Sequence, residues 1–138
     1  MSKLSLVGVA AAFFLFPAIA WADPCEGALP RRPGETFAGT VRYVGDGDSL
    51  CVGQSDDPST WIEVRLADFN SPELRTPAGP AARSALERIA MGRPAQCVAG
   101  GGRTRRVVSY DRVIAVCRVG GRRIGDLMRE AGIEEGGR

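Results

Sequence analysis

An uncharged run of nineteen residues, 4–22, lies at the start of the chain, directly after its only lysine, Lys3. The run ends in the small-x-small pattern Ala20-Trp21-Ala22, which is typical of a secretory leader cleaved after the last small residue. An uncleaved membrane anchor is the alternative, because about 18 apolar residues can just span a bilayer. The pattern favours cleavage after Ala22. We therefore expect a secreted or periplasmic protein without stable membrane association.

Four cysteines acquire a specific meaning in an exported chain. They include no C-x-x-C pair, so their spacing does not favour a zinc site. An oxidising compartment favours disulfides, which would stabilise a small core. Three pairings are possible among Cys25, Cys51, Cys97 and Cys117.

Hydrophobic periodicity predicts five strands and two helices. The strands are expected near residues 36–44, 48–53, 61–67, 95–99 and 113–119, and the helices near residues 80–91 and 125–131. Residues 1–22 form the leader, residues 23–35 an irregular N-terminal segment, and residues 36–138 one domain. Three strands, a helix, two strands and a helix indicate an α+β fold, compatible with a small five-stranded Greek-key barrel.

Composition excludes several mechanisms. The chain has no histidine, and its only lysine lies in the predicted leader, so a Ser-His-Asp triad, a Schiff base and a P-loop lysine are all ruled out after cleavage. Carboxylate, arginine and metal chemistry remain, as does simple binding. The charge is sorted along the chain: residues 46–73 carry −6 and residues 103–123 carry +6. This sorting suits a metal that bridges to a phosphate, although an ordinary solvated surface would also explain it.

Three short motifs carry the candidate chemistry. Asp46-Gly47-Asp48-Ser49 occupies a turn between two predicted strands, where two carboxylates can approach a hard cation. Arg65 precedes Asn70-Ser71-Pro72-Glu73 by five residues, and Tyr110-Asp111-Arg112 leads into the fifth strand. Carboxylates for a metal, a further glutamate and two guanidinium groups for phosphate oxygens are the parts that metal-assisted phosphodiester hydrolysis needs.

At these motifs the chain resembles the staphylococcal nuclease (thermonuclease) family over about residues 37–133. Residues 44–50 are similar to the family's D-G-D-T turn, residues 64–73 to its R-L-x-x-x-D-T-P-E segment and residues 109–112 to its K-Y-G-R segment. The resemblance implies a five-stranded OB-fold barrel with two helices. It also implies calcium-dependent hydrolysis of DNA and RNA, with single strands favoured, by a monomeric enzyme.

The resemblance also implies a role for each matching residue. Asp48, Asn70 and the Ser71 carbonyl would bind Ca²⁺, and Glu73 would orient or deprotonate the attacking water. Arg65 and Arg112 would stabilise the transition state, and Tyr110 would contact the substrate.

The chain departs from the family pattern in three places. Asn70 replaces an aspartate, which removes one charge from the predicted metal site; Asp68 could compensate if its strand bends. Asp111 replaces a glycine beside Arg112. The third, C-terminal helix of the family is expected to be missing. These departures support an alternative function, a catalytically weak or inactive OB-fold module that binds single-stranded nucleic acid or another anionic partner.

The predicted strand order favours one cysteine pairing. Cys97 lies in the fourth strand and Cys117 in the fifth, and antiparallel pairing of these strands can bring their Cα atoms close enough for a disulfide. Cys25 would then pair with Cys51 and hold the N-terminal segment against the second strand.

Overall fold

The computed structural model of the chain describes residue 12 and residues 23–136. The predicted leader, with its expected cleavage after Ala22, falls outside this range apart from residue 12. The strands are β1 (Thr36–Asp46), β2 (Ser49–Gly53), β3 (Ile62–Leu66), β4 (Pro94–Ala99), β5 (Val108–Ser109), β6 (Arg112–Val119) and β7 (Arg122–Arg123). The helices are α1 (Gly79–Ala90) and α2 (Ile124–Glu130), with one 3-10 turn at Pro58–Thr60.

Five of the strands close into a mixed barrel, which confirms the predicted α+β, OB-fold-like architecture. Neighbouring strands follow the order β3-β2-β1-β4-β6, and parallel pairing of β3 with β6 closes the barrel. The long strand β1 pairs with β4 through its first half and with β2 through its second half, and register shifts on either side of Tyr43 let it bend between them. The two-residue strands β5 and β7, which periodicity did not predict, each pair with β6.

Alternation along the strands directs one face of each into the barrel core. Val64 and Leu66 of β3 and Val113 of β6 are almost fully buried. Helix α1 covers the barrel with Leu86 and three buried alanines, and Pro80 in its first turn needs no partner for a backbone N–H. Full burial of each valine or leucine contributes about 1.5–3 kcal/mol, so this core is the main source of stability.

Two disulfides fasten the barrel and the segment before it. Cys97 and Cys117 lie opposite each other in the β4–β6 ladder and are bonded, with Cα atoms 4.1 Å apart. Cys25 is bonded to Cys51 of β2, with Cα atoms 5.9 Å apart. Disulfides persist in oxidising environments, so both bonds indicate an extracytoplasmic location. None of the helices in the described part of the chain has the length and apolar character needed to cross a bilayer.

Candidate functional site

The turn between β1 and β2 carries the first candidate ligand, Asp48. Asp46 and Ser49 are paired at the base of the turn, and an Asp46 carboxylate oxygen accepts a hydrogen bond from the Asp48 N–H (3.0 Å). A Cβ atom at Gly47 would lie 2.1 Å from the Ser71 Oγ, so only glycine lets the turn approach this closely. The turn is therefore fitted against the segment that carries the other candidate ligands.

Asp48 is a buried carboxylate with two close partners. Asp48 is only 6% exposed. Its Oδ2 accepts a hydrogen bond from the Ser71 N–H (2.7 Å) and lies 3.1 Å from Arg65 Nη2. Burial and the nearby Asp46 raise the pKa of Asp48 to about 7, although the charge of Arg65 opposes the rise. An additional cation would stabilise this carboxylate in its ionised form.

Arg65 connects Asp48 to the loop that follows β3. Its Nη1 donates to the carbonyl oxygens of Leu66 (2.6 Å) and Phe69 (2.8 Å). Its Nη2 donates to Asn70 Oδ1 (2.8 Å), so the same nitrogen contacts two of the three predicted calcium ligands. The guanidinium group thereby fixes the loop and is itself held in one orientation.

The three predicted calcium ligands, Asp48, Asn70 and Ser71, lie together. They offer a carboxylate, an amide and a backbone carbonyl oxygen, which are the hard donors that Ca²⁺ takes in proteins. In residues 23–136 no cluster of three or more His, Cys, Asp or Glu side chains is arranged to hold a metal ion. A cation at this site would therefore depend on the amide and carbonyl oxygens. The donor chemistry and the raised pKa of Asp48 both fit a calcium ion.

Glu73 lies on the rim of a groove next to these ligands. Its carboxylate side chain is exposed, and its backbone carbonyl oxygen accepts hydrogen bonds from the N–H (2.9 Å) and the hydroxyl (2.6 Å) of Thr76. The groove has a volume of about 570 Å³ and runs between residues 70–81 and residues 132–136. The loop turn thus uses the backbone of Glu73, a residue that lines the groove, and does not need its exposed carboxylate.

Tyr110 and Arg112 belong to the tight turn that joins β5 to β6. Tyr110 is 94% exposed and has a φ of 58°, in the left-handed region that a tyrosine rarely adopts. Arg112 starts β6 and forms no ion pair or side-chain hydrogen bond within the described part of the chain. The charge of Arg112 nevertheless affects Asp46 in the β1–β2 turn. Burial opposes ionisation of Asp46, but hydrogen bonds from Asp48 and Ser49, together with the charge of Arg112, lower the pKa of Asp46.

Asp68 does not join the candidate ligands. It faces the start of α2, where a Cβ atom at Gly125 would lie 2.5 Å from its Oδ2. Both of its carboxylate oxygens are buried without a hydrogen-bond partner among the described residues. Burial raises the pKa of Asp68, while the charges of Arg123 and Arg129 oppose the rise. Compensation for Asn70 by Asp68 is therefore not supported by this arrangement.

Periodicity alone missed two further parts of the site. Glu63 alternates with the inward-facing Val64 along β3, yet it is only 5% exposed. It is paired with Cys51, whose disulfide to Cys25 brings the N-terminal segment over it. The other missed part is the stretch after α2, in which Glu135 and Gly136 contact Asn70. The pairing of Cys51 with Glu63 could have indicated that Glu63 is covered. No local sequence pattern indicates the contact of Glu135 and Gly136 with Asn70.

Comparisons with known proteins do not assign a family. No protein-family model matches the chain, and no curated protein matches it. The functional argument therefore depends on the geometry described above and on the residues that match the nuclease motifs.

Proposed function

We propose that this protein is an exported, calcium-dependent nuclease that hydrolyses phosphodiester bonds of DNA and RNA. The observation that carries the proposal is the network formed by Asp48, Arg65, Asn70 and Ser71. Residues from two separate sequence motifs meet there through contacts of 2.7–3.1 Å. A carboxylate, two neutral oxygen donors and a fixed guanidinium group form a plausible set for a metal ion and a phosphate.

The resemblance to the nuclease motifs gives each residue a role in this reaction. Asp48, the Asn70 amide oxygen and the Ser71 carbonyl would hold the calcium ion, which when bound acidifies water and neutralises phosphate charge. Glu73 would accept a proton from the attacking water as the new P–O bond forms and one ester P–O bond breaks. Arg112 would bind a phosphate oxygen. Arg65 would stabilise the transition state from a fixed position, so that its guanidinium group needs little reorganisation as charge develops on the phosphate.

The direct test is digestion of single-stranded DNA and of RNA by the exported chain, with calcium and with a chelator. Glu73→Gln should lower the rate at least about a hundredfold, because removing one proton-transfer group typically costs that much or more. Glu87→Gln, an equal charge change on the exposed face of α1, should leave the rate unchanged. Cleavage that persists in chelator, or that survives Glu73→Gln, would contradict the proposed mechanism.

A second candidate is an inactive module that binds single-stranded nucleic acid. It is favoured by the neutral Asn70, by the exposed Tyr110, and by the exposed Arg103, Arg105 and Arg106 of the preceding loop. Stacking of bases on an aromatic ring and attraction of phosphates to arginine are sufficient for such binding. Salt-dependent binding of a labelled oligonucleotide without cleavage would support this candidate over the nuclease.

A further inference from the structure

Residues 133–136, called the tail below, pack against the loop that carries the candidate calcium ligands. The Gly136 N–H donates to the Asn70 carbonyl oxygen (2.8 Å), and Asn70 Nδ2 donates to the Gly136 carbonyl oxygen (2.8 Å). The Asn70 N–H donates to Glu135 Oε1 (2.8 Å). Three of the four polar groups of Asn70 therefore bond to the tail. The fourth, Oδ1, accepts from Arg65.

The chemistry of these partners determines the orientation of the Asn70 amide. A carbonyl oxygen can only accept a hydrogen bond, and a guanidinium group can only donate one. Nδ2 must therefore face Gly136, and Oδ1 must face Arg65, whose Nη2 also lies 3.1 Å from Asp48. An aspartate at this position would place a carboxylate oxygen against the Gly136 carbonyl. The asparagine that departs from the family pattern is thus matched to the tail.

The tail itself is held in place at several points. The Ile133 N–H donates to the Met128 carbonyl (3.2 Å), and the Ile133 side chain packs against the core. Arg129 contacts Glu135 Oε1 (3.4 Å) and donates to the Asp68 carbonyl. A Cβ atom at Gly136 would lie 2.9 Å from the Ser71 carbonyl oxygen, so the tail fits this closely only with glycine.

We propose that the tail is a positioning element, which orients the Asn70 amide so that Oδ1, like Asp48 Oδ2, lies beside Arg65 Nη2 and can bind the cation. Glu135 is the positioning residue, because its carboxylate holds the backbone of Asn70 and is itself held by Arg129. This assignment rests on the proposed function, since it assumes that Asn70 is a calcium ligand. It adds a contact from far along the chain that none of the nuclease motifs contains.

The test compares neighbouring glutamates in the exported chain. Glu135→Ala removes the acceptor for Asn70, whereas Glu134→Ala removes the same charge from a residue that lines the same groove without contacting Asn70. Calcium affinity is measured by calorimetry. We expect Glu135→Ala to weaken calcium binding roughly tenfold, the usual effect of losing a partner that orients a metal ligand. Glu134→Ala should change it less than about twofold, and Glu135→Gln, which keeps an acceptor oxygen, should retain most of the affinity.

A second readout does not depend on calcium. Hydrogen exchange of the Asn70 backbone N–H should accelerate in Glu135→Ala and in Gly136→Val but not in Glu134→Ala. The far-ultraviolet circular dichroism spectrum should be unchanged in all three variants. Equal calcium affinities for Glu135→Ala and Glu134→Ala would overturn the role of the tail while leaving the nuclease proposal standing. A parent chain that binds no calcium would overturn both, and slow exchange at Asn70 in both tail variants would overturn the tail alone.

Discussion

Replacement of Glu63 by glutamine should reduce the pH dependence of folding stability between about pH 5 and pH 8. Burial, together with the nearby Asp23 and Asp111, raises the pKa of Glu63 to about 8, although the charge of Arg112 opposes the rise. The nearby Asp23 also contacts Tyr43 and Gly45, so the carboxyl pair is covered on several sides. Protonation of Glu63 therefore stabilises the folded state.

The sign of the effect follows from proton linkage. Glu63 titrates near pH 4.5 when the chain is unfolded and near pH 8 when it is folded, so between these values the folded state holds a proton that the unfolded state has lost. The free energy of unfolding therefore falls as pH rises through this window. Each pKa unit corresponds to about 1.36 kcal/mol, which sets an upper limit of about 5 kcal/mol. Interaction of Glu63 with the neighbouring charged groups reduces the expected loss to about 2–3 kcal/mol.

The assay is urea unfolding followed by tryptophan fluorescence at several pH values, with both disulfides intact. Glu63→Gln cannot ionise, and its amide can donate to Asp23, so its stability should fall less steeply with pH than that of the parent and exceed it at pH 8. The slope that remains below about pH 7 comes from Asp48, whose pKa is raised to about 7. Glu134→Gln, on the exposed surface, should follow the parent. A free α-amino group on Asp23, as cleavage after Ala22 would create, adds a positive charge beside the pair, so all chains must share one N-terminus. If the free energy of unfolding falls equally with pH in the parent and in Glu63→Gln, Glu63 does not contribute to the pH dependence.

Three further changes test other parts of the structure. Asn70→Asp should lower stability without calcium by about 1–3 kcal/mol, because a carboxylate would face the Gly136 carbonyl, and should increase the gain in melting temperature on adding calcium; equal melting temperatures would contradict this. Tyr110→Gly should raise the free energy of unfolding by about 1 kcal/mol, because it relieves the positive φ, and should weaken oligonucleotide binding by about 1–3 kcal/mol. A variant that is more stable and binds the oligonucleotide as tightly as the parent would argue against stacking on Tyr110. Serine at both Cys97 and Cys117 should cost about 3 kcal/mol in urea unfolding, with calcium binding retained below the melting temperature.

The barrel could be predicted because its information is local. Ile62, Val64 and Leu66 alternate along β3, and the stripe that includes Leu86 gives α1 its helical period, so each element is recognisable by itself. The pairing of β4 with β6 follows once both strands are assigned, and it places Cys97 opposite Cys117. The short strand β5 and the positive φ of Tyr110 were not predictable, because two residues carry no periodic signal.

The environment of Glu63 shows why burial could not be read from alternation alone. Alternation assigns Glu63 to the face opposite Val64, but it does not say what covers that face. The Cys25–Cys51 disulfide and the Gly27 N–H, which donates to the Trp61 carbonyl (2.8 Å), bring the N-terminal segment over it. A segment without periodicity therefore decides the protonation of a residue in a regular strand.

The tail determines the surroundings of Asn70, as the N-terminal segment determines those of Glu63. The Asn70–Gly136 contact spans 66 residues of sequence, and neither partner belongs to a helix or strand. The regular elements place Asp48 and Arg65, but they leave the orientation of the Asn70 amide open. Asn70 is matched to the Gly136 carbonyl and Gly136 to the Ser71 carbonyl, so a substitution at either position should disturb the contact between the tail and this loop. The chemistry of the site is therefore determined jointly by the barrel and by an irregular segment that packs against it.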